Sequence, residues 1–232
     1  NNLGNAFIRL GKLDESLICY QKALAVDAEY VEVHKNLGDA LQQLGKLEDA
    51  VASYRKAVAI KPDFVEAHNN LGTTLEELGR FDEAIASHHK ALAIKPDFAE
   101  AHYNLGNVHL KLGHLDEAFA SHQKAIAIKP EYAEAHNNLG TALQDLGKLD
   151  EAVASYHKAL AIKPDYTKAG RNLLYIMLNV PGLSPEELYT EHSRFSESHE
   201  RGITPMAEPF PNDPIPDRRL RVGYLSSDFR NH

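Results

Sequence analysis

One asparagine recurs along the chain at Asn2, Asn36, Asn70, Asn104, Asn138 and Asn172, each 34 residues after the last. A primary amide donates and accepts hydrogen bonds at once, so a row of amides suits a surface that holds a peptide backbone without reading its side chains. Asparagine is also a weak helix former, and a choice made for helix stability alone would favour Ala, Glu or Lys. The competing explanation is that near-identical repeats copy a neutral surface residue. Histidine makes a second periodic set: His34, His68, His102 and His136. Equivalent positions on neighbouring helices lie ~8–10 Å apart, whereas ligands of one ion lie roughly 3–4 Å from each other. These rings are therefore expected to pack or hydrogen-bond, and no metal site is expected. The same holds for His88 and His122, which stand where other units carry Tyr54 and Tyr156, and for His109 and His114, which lack the i, i+4 spacing of a helical metal site.

The elements that must carry these residues follow from the same period. Glycines recur at Gly4, Gly38, Gly72, Gly106 and Gly140, and again seven residues later at Gly11, Gly45, Gly79, Gly113 and Gly147. Alanines recur at Ala23, Ala57, Ala91, Ala125 and Ala159, and prolines at Pro62, Pro96, Pro130 and Pro164, with Ala28 breaking that series. A mid-helix glycine such as Gly72 costs about 1 kcal/mol against alanine, so its recurrence signals close helix approach, with Ala84 and Ala91 opposite. Gly79 is expected to end the first helix of the unit. Asp82 and Glu83 then begin a second helix and Lys95 ends it, complementing the helix dipole, before Pro96. Each unit is a helical hairpin. In this geometry the asparagine, two residues before the packed glycine, points about 200 degrees away from the partner helix toward an inner wall. Glu48, Glu76 and Lys111 read as solvated outer positions.

The array resembles the tetratricopeptide repeat family, with histidine in place of the early tryptophan. Complete units are expected at 31–64, 65–98, 99–132 and 133–166, with partial units at 1–30 and 167–180. The expected fold is all-α, a right-handed superhelix over residues 1–180 whose concave groove takes protein or peptide. Asn1-Asn2-Leu3-Gly4 reads as the middle of a repeat.

Composition narrows the partners. The 25 Lys and Arg against 33 Asp and Glu give a formal net charge of -8, which disfavours nucleic acid and anionic membrane. No stretch of 18 apolar residues offers a transmembrane helix. The single cysteine, Cys19, excludes an intrachain disulfide and suits a reducing, cytoplasmic setting.

Past Asn172 the pattern changes. Leu174 replaces the glycine, and Leu173-Leu174-Tyr175-Ile176-Met177-Leu178 reads as a more apolar terminal cap. Ser184-Pro185-Glu186-Glu187 combines an N-cap serine, a proline at the first helical position and a capping-box glutamate, so a capping helix is expected within 181–200. Residues 201–217 hold five prolines and read as a linker. From 218 to 232 a new domain is expected to start, with Leu220–Leu225 as a first β-strand entering a polar loop, the place where open α/β sheets bind ligands.

The repeats, the linker Pro211-Asn212-Asp213-Pro214 and the segment from Leu220 to His232 together resemble the protein O-GlcNAc transferase family, nearest to its bacterial and plant-like branch, although Ser227 follows the animal-type pattern. The resemblance implies an α/β catalytic domain of the GT-B type. It also implies an inverting glycosyltransferase that moves N-acetylglucosamine from UDP-GlcNAc to Ser or Thr of proteins. A related branch uses GDP-fucose. Asp228, Phe229 and His232 match its Asp-Phe-x-x-His motif, which would make His232 the catalytic base and the six asparagines its peptide-holding ladder. The 232 residues hold little of such a domain, so no cofactor and no transferase activity are expected of them alone. The alternative is a tetratricopeptide protein–protein interaction scaffold without a catalytic role. A homo-oligomer formed through the repeats is a third reading.

Overall fold

The structure, a computed structural model, describes residues 1–180 and 184–200. The expected linker at 201–217, the strand at Leu220–Leu225 and His232 lie outside the described residues. Among the described residues twelve helices follow one another: α1 Asn2–Arg9, α2 Leu13–Val26, α3 Val31–Gln43, α4 Leu47–Ile60, α5 Val65–Glu77, α6 Phe81–Ile94, α7 Ala99–Leu112, α8 Leu115–Ile128, α9 Ala133–Asp145, α10 Leu149–Ile162, α11 Thr167–Met177 and α12 Pro185–Glu200. They pair as hairpins in sequence, each odd helix against the even helix that follows, and each hairpin stacks on the next. The result is an all-helical solenoid.

The glycines do two different jobs. Gly79 has φ +74, the left-handed conformation that glycine adopts without the cost a side chain would bring, and so turns the chain between α5 and α6. Gly72 makes room for a ring: a Cβ built on it would stand 2.7 Å from the imidazole of His88 on α6. The tight helix approach expected from the repeat thus has a specific cause, an aromatic or imidazole ring from the second helix lying across the first. Tyr54 meets Gly38 at 2.6 Å in the same way.

Lys95 departs from expectation. α6 stops at Ile94, and Lys95 is the extended cap with φ -130 and ψ 90, because a residue before proline is driven out of the helical region. Its ammonium stands 5.4 Å from the centre of the Phe98 ring, a cation–π contact that recurs as Lys61 over Phe64 and Lys163 over Tyr166.

The last hairpin keeps the principle with a shifted register. Leu174 occupies the glycine position, but Gly170, one turn earlier on α11, is the residue against which Phe195 of α12 packs. α12 starts with the expected capping box: Glu187 Oε2 accepts from the Ser184 N–H and hydroxyl, both at 2.8 Å, and Ser184 Oγ accepts from the Glu187 N–H at 3.2 Å.

Candidate functional site

Successive odd helices touch one another, α3 with α5, α5 with α7, α7 with α9 and α9 with α11, and among the described residues no comparable contact joins successive even helices. A stack held closer along one side curves toward that side, so the odd helices form its inner face. The six asparagines lie on these helices.

Their side chains do not point freely into the interior of the curve. Each amide N–H reaches back to the preceding odd helix. Asn36 donates to Asn1 at 2.9 Å and to Asn5 at 3.2 Å, Asn70 to Asp39 at 2.9 Å, and Asn104 to Asn69 at 3.1 Å and Thr73 at 3.3 Å. Asn138 donates to Asn107 at 2.7 Å and Asn172 to Asn137 at 3.0 Å. Asn2, on the first helix, is exposed. The direction expected from helical geometry is therefore corrected: the amides point along the stack and tie each unit to the one before it. Burial explains this, since a polar group between packed helices needs a partner. Asn138 is 8% exposed.

The acceptors form two periodic sets: Asn5, Asp39, Thr73 and Asn107, each three residues after a ladder asparagine, and Asn1, Asn69 and Asn137, each one residue before one. Every member is polar, a signal visible at the 34-residue period. In three units a tyrosine from the even helix joins the junction. Tyr20 donates to Asn5 at 2.6 Å and Tyr54 to Asp39 at 2.7 Å, while the hydroxyls of Tyr156 and Thr141 are 3.4 Å apart. Burial raises the Tyr20 hydroxyl to about 12, so it is a donor at neutral pH. His88 and His122 fill the equivalent places and are too short to reach: both nitrogens of each ring are buried without a hydrogen-bond partner. Burial lowers both to about 4, so the rings are neutral at pH 7.

His34, His68, His102 and His136 are hydrogen-bonded, as their spacing predicts. Nε2 of each ring donates to the carbonyl six residues earlier, that of Ala28, Pro62, Pro96 and Pro130, at 2.8 to 3.0 Å. The loop bond survives where alanine replaces proline. Among the described residues no three His, Cys, Asp or Glu side chains are arranged to hold an ion, and no helix is long and apolar enough to cross a membrane.

A groove of about 480 Å³ opens on the inner face toward the later units. It is lined by Glu76 of α5, by Tyr103, Asn107, Leu110 and Lys111 of α7, by Asn138 and Thr141 of α9, and by Lys168 and Asn172 of α11. Two ladder asparagines belong to it. Glu76 and Lys111 were expected on a solvated outer face and instead form an ion pair here at 2.9 Å, with the glutamate side chain 10% exposed; Glu48, exposed beside Arg80, agrees with expectation. With amides, hydroxyls and one phenol, such a groove offers hydrogen bonds in both senses to an extended backbone.

Comparison with known proteins agrees with this geometry. The family profile described as TPR repeat matches residues 4–45, 38–79, 74–113 and 110–147, and that described as tetratricopeptide repeat matches 133–166. Among solved structures, MamA superposes with a TM-score of 0.65 at 31% identity over 71% of this chain and 96% of its own. YrrB, described as a TPR protein with an unusual peptide-binding site, gives 0.63 at 22% identity over 79% and 93%. PilF of Pseudomonas aeruginosa gives 0.74 at 19% over 86% and 88%. The last two likenesses show the fold alone. Comparison with curated protein sequences finds no match.

Proposed function

The chain belongs to the tetratricopeptide repeat family, and from that premise we propose that it is a protein-interaction scaffold whose inner face holds an extended segment of another polypeptide. The observation that carries this reading is the groove between α5, α7, α9 and α11, polar along its walls and floored by helices locked to one another through Asn104, Asn138 and Asn172. A preorganised wall binds an extended chain with less ordering cost than a mobile one. The test is binding of fluorescein-labelled peptides of 12 residues by anisotropy. Affinity that falls at least fivefold in Thr141→Leu and Asn107→Leu, with folding retained, supports the reading. Affinity indifferent to both changes overturns it.

The sequence from Pro211 to His232 favours a second reading, in which the held polypeptide is the acceptor of an O-linked glycosyltransferase that uses UDP-GlcNAc. The supporting observation is the motif Asp228-Phe229-x-x-His232 after a proline-rich segment. An imidazole with a pKa near 6.5 can take a hydroxyl proton at neutral pH, so His232 is proposed as the base and the cytoplasm as the compartment. In this reading the 232 residues bind acceptor but transfer no sugar. The complete reading frame should transfer labelled N-acetylglucosamine to protein and lose this on His232→Ala. Absence of transfer from UDP-GlcNAc or GDP-fucose by the complete protein removes the second reading and leaves the scaffold.

A further inference from the structure

A second cavity, of about 600 Å³, opens between α10, α11 and the start of α12. Val153, Met177 and Val180 supply its apolar side, and Met177 is only 6% exposed. Asp150, Glu186, Glu187 and Glu191 supply an acidic rim. Glu191 is already paired with Arg194 at 2.7 Å, and one oxygen of Glu187 is taken by Ser184. Asp150 and Glu186 are exposed and make no ion pair among the described residues. Asp150, Glu186 and Glu187 lie in the first turns of α10 and α12, where carboxylates suit the helix dipole. Two helix ends carry about one positive charge between them, so the three carboxylates leave the cavity negative. The dipole does not account for the apolar side. An apolar wall under an acidic rim fits a side chain with an aliphatic stem and a cationic head.

The chain itself holds such side chains. Arg218, Arg219 and Arg221 are three arginines in four residues, in a protein whose net charge is -8. Residues 201–217 join them to Glu200, the end of α12. The cavity lies at the other end of that helix, 16 residues and about 24 Å back. A tether of 201–217 with its five prolines extends to roughly 50 Å, so the arginines reach the cavity with chain to spare. We propose that this cavity is the docking site of Arg218 and Arg219 of the same chain. Their stems lie on Val153, Met177 and Val180, and their guanidinium groups meet Asp150, Glu186 and the second oxygen of Glu187. Docking turns the chain back along α12, so whatever follows Arg219 starts beside α10 and not at the far end of α12. The inference stands apart from both functional readings, since the expected strand begins only at Leu220. Exposed ion pairs are weak one by one, but a tether that holds both arginines near the rim gives roughly fivefold protection of the pair.

Trypsin cuts after an arginine only from the undocked population. The experiment follows initial cleavage after Arg218 and Arg219 by mass spectrometry, in the full chain carrying Arg201→Gln so that the tether stays whole. A free peptide of residues 208–228 sets the intrinsic rates. Cleavage in the chain should be roughly fivefold slower than in the peptide. Asp150→Asn with Glu186→Gln should restore the peptide rate, as should high salt, and Glu186→Gln alone, which touches no capping bond, should lie between. Removing the same charge elsewhere, by Glu15→Gln with Glu48→Gln, should change nothing. Equal rates in chain and peptide overturn the docking. Protection that survives the Asp150 and Glu186 changes overturns it too, in favour of a fold formed beyond Arg219. Protection that grows with protein concentration overturns the same-chain assignment in favour of a second copy.

Discussion

The imidazole of His88 occupies the space that a β-carbon on Gly72 would need, 2.7 Å from the nearest ring atoms. Gly72→Ala should therefore destabilise the array by about 2 kcal/mol through overpacking, even though alanine is the better helix former. Gly79→Ala meets nothing within 4 Å but must hold φ +74, which costs roughly 1–2 kcal/mol by a different route. Urea unfolding separates the two. His88→Ala should rescue part of the loss in Gly72→Ala and none in Gly79→Ala.

The unpartnered rings of His88 and His122 make the middle of the array sensitive to acid. Burial holds both near pKa 4 in the folded protein, against about 6.5 in the unfolded chain. The unfolded state binds protons first, so this stability is complete above pH 6.5 and is lost as the pH falls toward 4. At pH 5 the loss is about 2 kcal/mol for each ring. In the double variant His88→Tyr and His122→Tyr the hydroxyls should reach Thr73 and Asn107, as Tyr156 meets Thr141 and Tyr20 meets Asn5. The variant should be more stable at pH 7 and should unfold at nearly the same urea midpoint at pH 5. A midpoint that still drops steeply would show that other groups control the acid response.

The hairpins were legible because a 34-residue period fixes both the packed glycines and the turn glycines, and each has a local steric cause. The hydrogen-bonded histidines were legible for the same reason. The direction of the asparagines was not, because a helical wheel gives the angle from one neighbour and says nothing of the helix in the next unit, 31 or 35 residues away, where their acceptors lie. Glu76 was misread as solvated on the same ground, since its pairing with the exposed Lys111 crosses from α5 to α7. Only a comparison of the residues one before and three after each asparagine would have shown the polar acceptor series.

α12 depends on its capping box more than on its length. Ser184 and Glu187 satisfy one another reciprocally, and the helix meets the stack mainly through α11. Ser184→Ala should cost about 1 kcal/mol of local stability. Hydrogen exchange should report it as faster exchange in residues 185–196 with α3 to α10 unchanged. Faster exchange throughout would mean that the terminal hairpin holds the whole array together.

Asn70 tests whether the ladder is a spine or a surface. Its amide donates to Asp39 Oδ1 at 2.9 Å, the same oxygen that accepts from Tyr54 at 2.7 Å, while Lys35 holds the other oxygen at 2.6 Å. Asn70→Ala removes one donor from a carboxylate that keeps two others, so the cost should be about 1 kcal/mol. Asn70→Asp keeps the shape but sets a second carboxylate against the first, where like charges within hydrogen-bonding distance repel. If the amide serves the junction between units, the aspartate variant must be the less stable of the two by roughly 1 kcal/mol or more at neutral pH, read from urea midpoints at equal slope. If the residue only faces solvent, charge on it changes little, and equal midpoints for the two variants would exclude the spine.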